Sequence, residues 1–342
     1  MDELRGLATG IGSLPHKNAE QALDLIFKYV PQIPFWPQLP KRDAREGMVA
    51  QFSENFPCLR FKDKNLVFDS SQEEKELEEF YSRIISNDTD YFKISEDFAS
   101  GFYDFCRRIK EDSDNIKFIK CQITGPFTFA ASIADDKKVS LLHNKVHMQA
   151  IIKGLAMKAA WQIKTLEQFE RKIILFIDEP YLGCFGSAYT PISRQEVLAG
   201  LEELTQGLVS KEVLLGVHCC GNTDWSIFTD TPAIDIISFD AYSFLERVLL
   251  YADNLEAFFK RGGRLCWGIV PTSEFSGKET PESLATKIKE GIIALGNKGL
   301  DEELIVENLL VSPSCGLGTL DSGKSEKIFK LLSEVSLSLK KW

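Results

Sequence analysis

Short apolar runs, each closed by glycine, proline or a polar cluster, recur eight times along this chain, and that recurrence limits the folds open to it. In order they are Leu7–Leu14, Phe35–Leu39, Phe118–Thr124, Ile173–Asp178, Val213–Cys219, Ile234–Ala241, Arg264–Val270 and Leu309–Ser314. Runs this short and this continuously apolar suit strands buried on both faces of a parallel sheet. Most of the intervening segments carry helical spacing. Lys145–Phe169 is the clearest, with Ile151, Ile152, Leu155, Ala159, Ile163 and Leu166 on one side. Glu196–Val209, Asn254–Lys260, Pro281–Leu295 and Gly323–Leu339 read the same way. Pro281 and Pro191 stand where a first helical turn begins.

Eight strands alternating with helices predict an α/β fold of the (β/α)8 TIM barrel type, one catalytic domain over residues 1–342. An open doubly wound sheet is the second choice. It is the weaker one because Gly10-Ile11-Gly12-Ser13 lacks the third glycine of a dinucleotide loop. The charged segment from about 41 to 111 breaks the alternation. It reads as an insertion between the second and third strands, with one or two helices and a small hairpin.

The net charge is -10 and no basic stripe is visible, which argues against a nucleic-acid partner. No apolar run approaches the roughly 18 residues of a membrane span. The eight cysteines are scattered, with no secretory signal ahead of them. They read as free thiols or metal ligands of a soluble, cytoplasmic protein.

The segment Gly216-Val217-His218-Cys219-Cys220-Gly221-Asn222-Thr223 ends the fifth run, and Ser312-Pro313-Ser314-Cys315-Gly316-Leu317 ends the eighth. One imidazole and thiolates form the donor set that zinc favours. In a barrel, strand ends converge on one face, so His218, Cys220 and Cys315 can meet there. Alternation along a strand turns Cys219 away from that face. Asp240, at the end of the sixth run, is the candidate fourth ligand or a carboxylate that orients the histidine. Asp178 and Glu179 end the fourth run and can bind a cationic group such as a substrate ammonium, Asp178 being the favoured contact. Ser13, in the glycine-flanked first segment, can offer its hydroxyl to a substrate carboxylate. No residue beyond the metal site is assigned a catalytic role.

Together these pieces resemble the catalytic C-terminal barrel of cobalamin-independent methionine synthases, within the uroporphyrinogen decarboxylase/methionine synthase-like superfamily. The matching motifs are Ile11-Gly12-Ser13 with Pro15, Gly125-Pro126, Ile177-Asp178-Glu179-Pro180, His218-Cys219-Cys220, Ile237-Ser238-Phe239-Asp240 and Ser312–Leu317. The resemblance implies zinc held by His218, Cys220, Asp240 and Cys315, with Asp240 where the family usually has Glu. It places the amino-acid contacts on Asp178 and Ser13. A further acidic contact belongs near Met48-Val49, where Asp43 and Glu46 both lie.

Two departures bear on the methyl donor. The chain is too short for the additional N-terminal barrel of the family's full-length members. The stretch Gly268-Ile269-Val270-Pro271-Thr272-Ser273 also lacks the histidine that the family has after its seventh strand. Both imply a "core" form that methylates homocysteine from methylcobalamin or a methylated corrinoid protein. Methyl transfer to another thiol such as coenzyme M, and a non-catalytic barrel that binds a metal or a corrinoid partner, are the alternatives.

Overall fold

The computed structural model describes residues 4–187, 190, 192–340 and 342. A two-stranded antiparallel hairpin comes first, β1 (Leu59–Lys62) with β2 (Asn65–Phe68). Six parallel strands follow: β3 (Phe118–Thr124), β4 (Lys172–Asp178), β5 (Val213–Cys219), β6 (Ile236–Phe239), β7 (Arg264–Val270) and β8 (Leu309–Pro313). They form one sheet in sequential order from β3 to β8. Helices Lys145–Leu166, Arg194–Thr205, Ala252–Lys260, Pro281–Gly296 and Ser322–Leu339 lie between and after them. Pro281 opens its helix, N-capped by Thr280, whereas Pro191 lies outside the described residues.

The closed eight-stranded (β/α)8 barrel predicted above is not what forms. Among the described residues the parallel sheet has six strands, and the first two apolar runs make only isolated bridges. Ala8 bridges Val311, Ser13 bridges Gln38, and Phe35 bridges Lys120. Proline explains the shortfall. Pro37 interrupts the second run and Pro34 and Pro40 bound it, and each lacks the N–H that a ladder requires. In the first run the chain passes so close to its neighbour that a Cβ on Gly10 would sit 2.3 Å from the Phe35 ring.

Buried side chains do the work of the missing ladder. Trp36 Nε1 donates to Gln162 Oε1 (2.9 Å), Gln162 Nε2 donates to the Gln122 carbonyl (3.1 Å), and Gln122 Nε2 donates to the Trp36 carbonyl (3.1 Å). Lys120 Nζ donates to the Ile11 carbonyl at 2.6 Å. Three of these bonds tie an irregular segment to β3 or to the long helix outside it, and the fourth joins that helix to β3. Buried polar groups need such partners, so the network also fixes where these segments lie.

Alternation sorts the strand residues between two cores. Ile123, Leu175, Val217, Phe239, Trp267 and Val311 belong to the large core shared with the helices. Phe118, Ile174, Phe176, Ile236, Cys266 and Leu310 form a smaller cluster on the opposite face. Leu4, Leu7 and Ile33 fill the same small cluster. The same period of two decides which polar residues reach the site.

The segment 41–111 holds the hairpin and the helices Glu73–Ile85 and Ser100–Glu111. Phe56, Phe80, Phe92 and Phe129 bind it to the main body, with ring centroids 5.1 to 5.6 Å apart. That cover leaves Ala159, Lys158 and Gly154 of helix Lys145–Leu166 buried. Helix Ser100–Glu111 presses on the proline-rich segment, and a Cβ on Gly101 would lie 2.1 Å from the Pro37 carbonyl oxygen. Because that obstacle is backbone, Gly101→Ala should cost about 2 kcal/mol by overpacking. The shift of the urea midpoint measures it, and an unchanged midpoint would show the contact to be soft.

Candidate metal centre

The ends of β4, β5, β6 and β8 meet on one side of the sheet. Asp178 pairs in register with His218, and His218 with Ser238. From β5, His218 and Cys220 turn to the small-core face. Cys219 turns into the large core instead and is fully buried there. The turn after β8 delivers Cys315. The candidate ligand atoms of His218, Cys220 and Cys315 all lie within 4.8 Å of one another.

Two features of the trio suit a metal. His218 Nδ1 is 3.0 Å from Ser238 Oγ, while its Nε2 is buried and has no hydrogen-bond partner. A buried ring nitrogen with nothing to bind is costly unless a ligand fills its direction. The two sulfurs lie within 4.8 Å of each other, and their coupling, helped by His218, draws the Cys315 thiol below its usual pKa and pushes that of Cys220 up. One nitrogen and two sulfurs match zinc in kind, and three protein donors leave a further position open.

Asp240 directly follows β6 and is not gathered with the trio. It N-caps helix Ala241–Val248, its Oδ1 accepting from Ser243 N at 2.9 Å. Burial raises its pKa, and the charge of Cys315 adds to the rise, so the carboxyl lies within electrostatic reach of the sulfur.

A cavity of about 510 Å³ opens over the trio. Asp178 and Ser13 line it with His218, Cys220 and Cys315. Asp178 Oδ1 is buried without a partner. Burial pushes this carboxyl up to about 6, against the pull of His218 and Lys120. An unpaired carboxylate oxygen at a cavity wall is a place for a cation. Ser13 is held beside the Cys315 turn: its hydroxyl accepts from Gly318 N (3.2 Å), and its carbonyl accepts from Leu317 N (2.8 Å).

Glu179 does not reach that wall. Its carboxylate accepts from Phe127 N and Thr128 N (both 2.9 Å) and from Thr128 Oγ1 (2.6 Å), at the start of helix Pro126–Ala131. Gly125 makes room for it, since a Cβ there would meet the carboxylate at 2.2 Å. Burial still raises its pKa, to about 7.

The structure also separates the two acids near Met48. Glu46 is fully buried on the cavity wall beside Met48, paired with Arg42 and accepting from Leu39 N at 3.2 Å. Burial outweighs that pairing and pushes its pKa up to about 7. Asp43 instead caps the turn at Ala44 and pairs with Arg45 at 2.9 Å, which holds its pKa down at about 2. Ser238, the partner of His218, was not singled out from sequence. Its place two residues before Asp240 on one strand was the available signal.

With this geometry in view, three comparisons bear on the chain. No protein-family model matches it. In sequence it is 26% identical over 204 residues to a methionine synthase from Methanocaldococcus jannaschii, a match spanning 59% of this chain and 59% of that protein. In fold it is similar to a B12-independent methionine synthase from Shewanella sp. W3-18-1, solved in complex with selenomethionine. That likeness has a TM-score of 0.60 at 17% identity and covers 99% of this chain and 98% of the other. The chain is thus similar to methionine synthases, in sequence over part of its length and in fold over nearly all of it. Among the described residues, no helix is long and apolar enough to cross a membrane.

Ser238 fixes which nitrogen of His218 faces the sulfurs. Ser238→Ala should therefore weaken zinc binding about tenfold. Competition with a chromogenic chelator reads this, and wild-type affinity in the variant would show that Ser238 does not orient the ring.

Proposed function

We propose that this chain is a zinc-dependent methyltransferase that methylates the sulfur of homocysteine to give methionine. One observation carries the reading. The unpartnered Nε2 of His218 meets two thiols in a cavity whose wall also holds the unpartnered Oδ1 of Asp178. A metal site and a cation site side by side suit a substrate with a thiol at one end and an ammonium at the other. The names of the sequence relative and of the solved structure, both methionine synthases, support the same reaction.

His218, Cys220 and Cys315 would hold the ion, leaving a position open for substrate. Zinc supplies Lewis acidity that keeps a bound thiol deprotonated at neutral pH. The chain's own residues do the rest. Asp178 accepts from the substrate ammonium, and Ser13 binds at the carboxylate end. Ser238 keeps Nε2 of His218 free. The cavity walls hold the two reactants in line, which removes most of the entropic cost of their meeting. In the transfer, a lone pair of the substrate thiolate forms the new S–C bond. The bond from carbon to donor breaks, and its electron pair stays on the donor.

The requirement for an ammonium contact at Asp178 favours homocysteine over coenzyme M. For the donor, two features pull apart. The stretch Gly268–Ser273 brings Ser273, not a histidine, to the cavity, which suits a leaving group that needs no proton, such as that of methylcobalamin or a methylated corrinoid protein. The solved relative is by name B12-independent, which points to another donor. Purified zinc-loaded protein should form methionine from homocysteine with methylcobalamin or methyl-tetrahydrofolate, assayed in parallel. Metal without methyl transfer from either donor would end the reading.

Two variants divide the site. Cys315→Ser should lose stoichiometric zinc and methyl transfer together. Full metal content and full rate would remove Cys315 from the centre. Asp178→Asn should retain zinc and raise the KM for homocysteine about thirtyfold, the value of one charge-assisted hydrogen bond. An unchanged KM would move the ammonium elsewhere.

A further inference from the structure

A second cleft, of about 700 Å³, adjoins the metal cavity and shares Pro40 and Lys41 with it. Its chemistry is unlike the rest of this acidic chain. Lys41, Arg42, Arg45 and Lys64 line it, with Asp43 as the one carboxylate in the lining. Phe61 and Phe98 stand edge to face on its wall, 6.1 Å between centroids, and Arg45 lies over the Phe98 ring at 5.8 Å.

The arginines are already committed. Arg42 pairs with Glu46, and Arg45 pairs with Asp43 (2.9 Å) and Asp97 (2.7 Å). The lysines are not matched in this way. Among the described residues Lys41 Nζ donates to the carbonyls of Thr319 and Leu320 and pairs with no carboxylate. Lys64 is exposed and has no ion-pair or hydrogen-bond partner among the described residues. It occupies the tip of the β1–β2 hairpin, between paired Lys62 and Asn65. Asp63 and Lys64 both take left-handed backbone there, φ 50° and 65°. Such a two-residue turn favours Asn-Gly, and a lysine in its second place is an unfavourable choice for folding alone.

The reaction needs two substrates. The metal cavity, about 510 Å³, takes an amino acid and the reacting end of a methyl donor. The body of the donor has to lie on a surface continuous with that cavity. We infer that the cleft of Lys41, Lys64, Phe61 and Phe98 seats an oxyanion-bearing part of the methyl donor, with a planar group against the two rings. This rests on the methyltransferase reading for the identity of the ligand, but not for the existence of an oxyanion site. Carboxylates and a phosphodiester share the required chemistry, and the donor that works tells them apart.

Lys64 offers a clean test because glycine suits its backbone better than lysine does. Tripolyphosphate serves as the oxyanion probe, titrated calorimetrically into zinc-loaded protein at low and moderate salt. Wild type should bind it, more weakly as salt rises. Lys64→Gly should bind about fivefold more weakly, and Lys64→Glu about tenfold or more, as loss and then reversal of one charge imply. Lys64→Gly should also unfold at an equal or higher temperature, so that loss of binding cannot be loss of fold.

In turnover, both variants should raise the KM for the donor and leave zinc content and the KM for homocysteine unchanged. The effect falls on methyl-tetrahydrofolate if carboxylates occupy the cleft, and on methylcobalamin if a phosphodiester does. Absence of tripolyphosphate binding in wild type, or equal affinity in all three proteins, overturns the inference. If neither donor supports turnover, the methyl-transfer reading falls, and the titration alone still decides the cleft.

Discussion

The site depends on the period of two along β5. His218 and Cys220 share a face because one residue separates them, and that residue, Cys219, is driven into the large core. A one-residue slip in pairing would bury both ligands among the helices and present Cys219 to the cavity. The register that links Asp178, His218 and Ser238 across three strands therefore sets the chemistry as well as the packing. Apolar residues on both faces resist such a slip: Val217 and Phe239 on one, Phe176 and Ile236 on the other.

A different solution holds the residues before β3. Prolines deny the segment 35–39 a ladder, so amide and ammonium side chains bind the backbone directly. Gln122, Gln162 and Lys120 are fully buried, and these contacts, with a second bond from Lys120 to the Gln122 side chain, satisfy them. Such a network is specific, since each donor has a fixed acceptor. It leaves the backbone free to turn at Gly12 and at Pro40, where the cavity needs a wall and not a strand. Glu46 and Met48 reach the wall by the same freedom.

Much of the parallel sheet could be read from the chain. The runs Phe118–Thr124, Val213–Cys219 and Arg264–Val270 are the observed strands residue for residue. Continuous apolar character is a strong signal when both faces are covered. The first two runs carried the same signal and became bridges, because hydropathy counts side chains whereas a ladder counts N–H groups. At the site, the trio was legible from donor chemistry and strand ends. Glu179 was harder to place. Its neighbour Asp178 faces the cavity, and alternation alone would have turned Glu179 to the far side, where a helix start absorbs it. Glu46 and Asp43 could not be told apart, because Lys41-Arg42-Asp43-Ala44-Arg45-Glu46 looks like a solvated stretch until Arg42 is seen covering the buried acid. Asp240 sat at the right strand end, and the helix that follows it engages one of its oxygens.

Ser13 and the turn that carries Cys315 lie about 300 positions apart, joined by Leu317 N to the Ser13 carbonyl and by Gly318 N to the Ser13 hydroxyl. An intermediate ordered only through β5 holds His218 and Cys220 but not the second sulfur. The trio is therefore complete only after β8 has docked, so its assembly reports long-range closure of the sheet and not the local folding of β5.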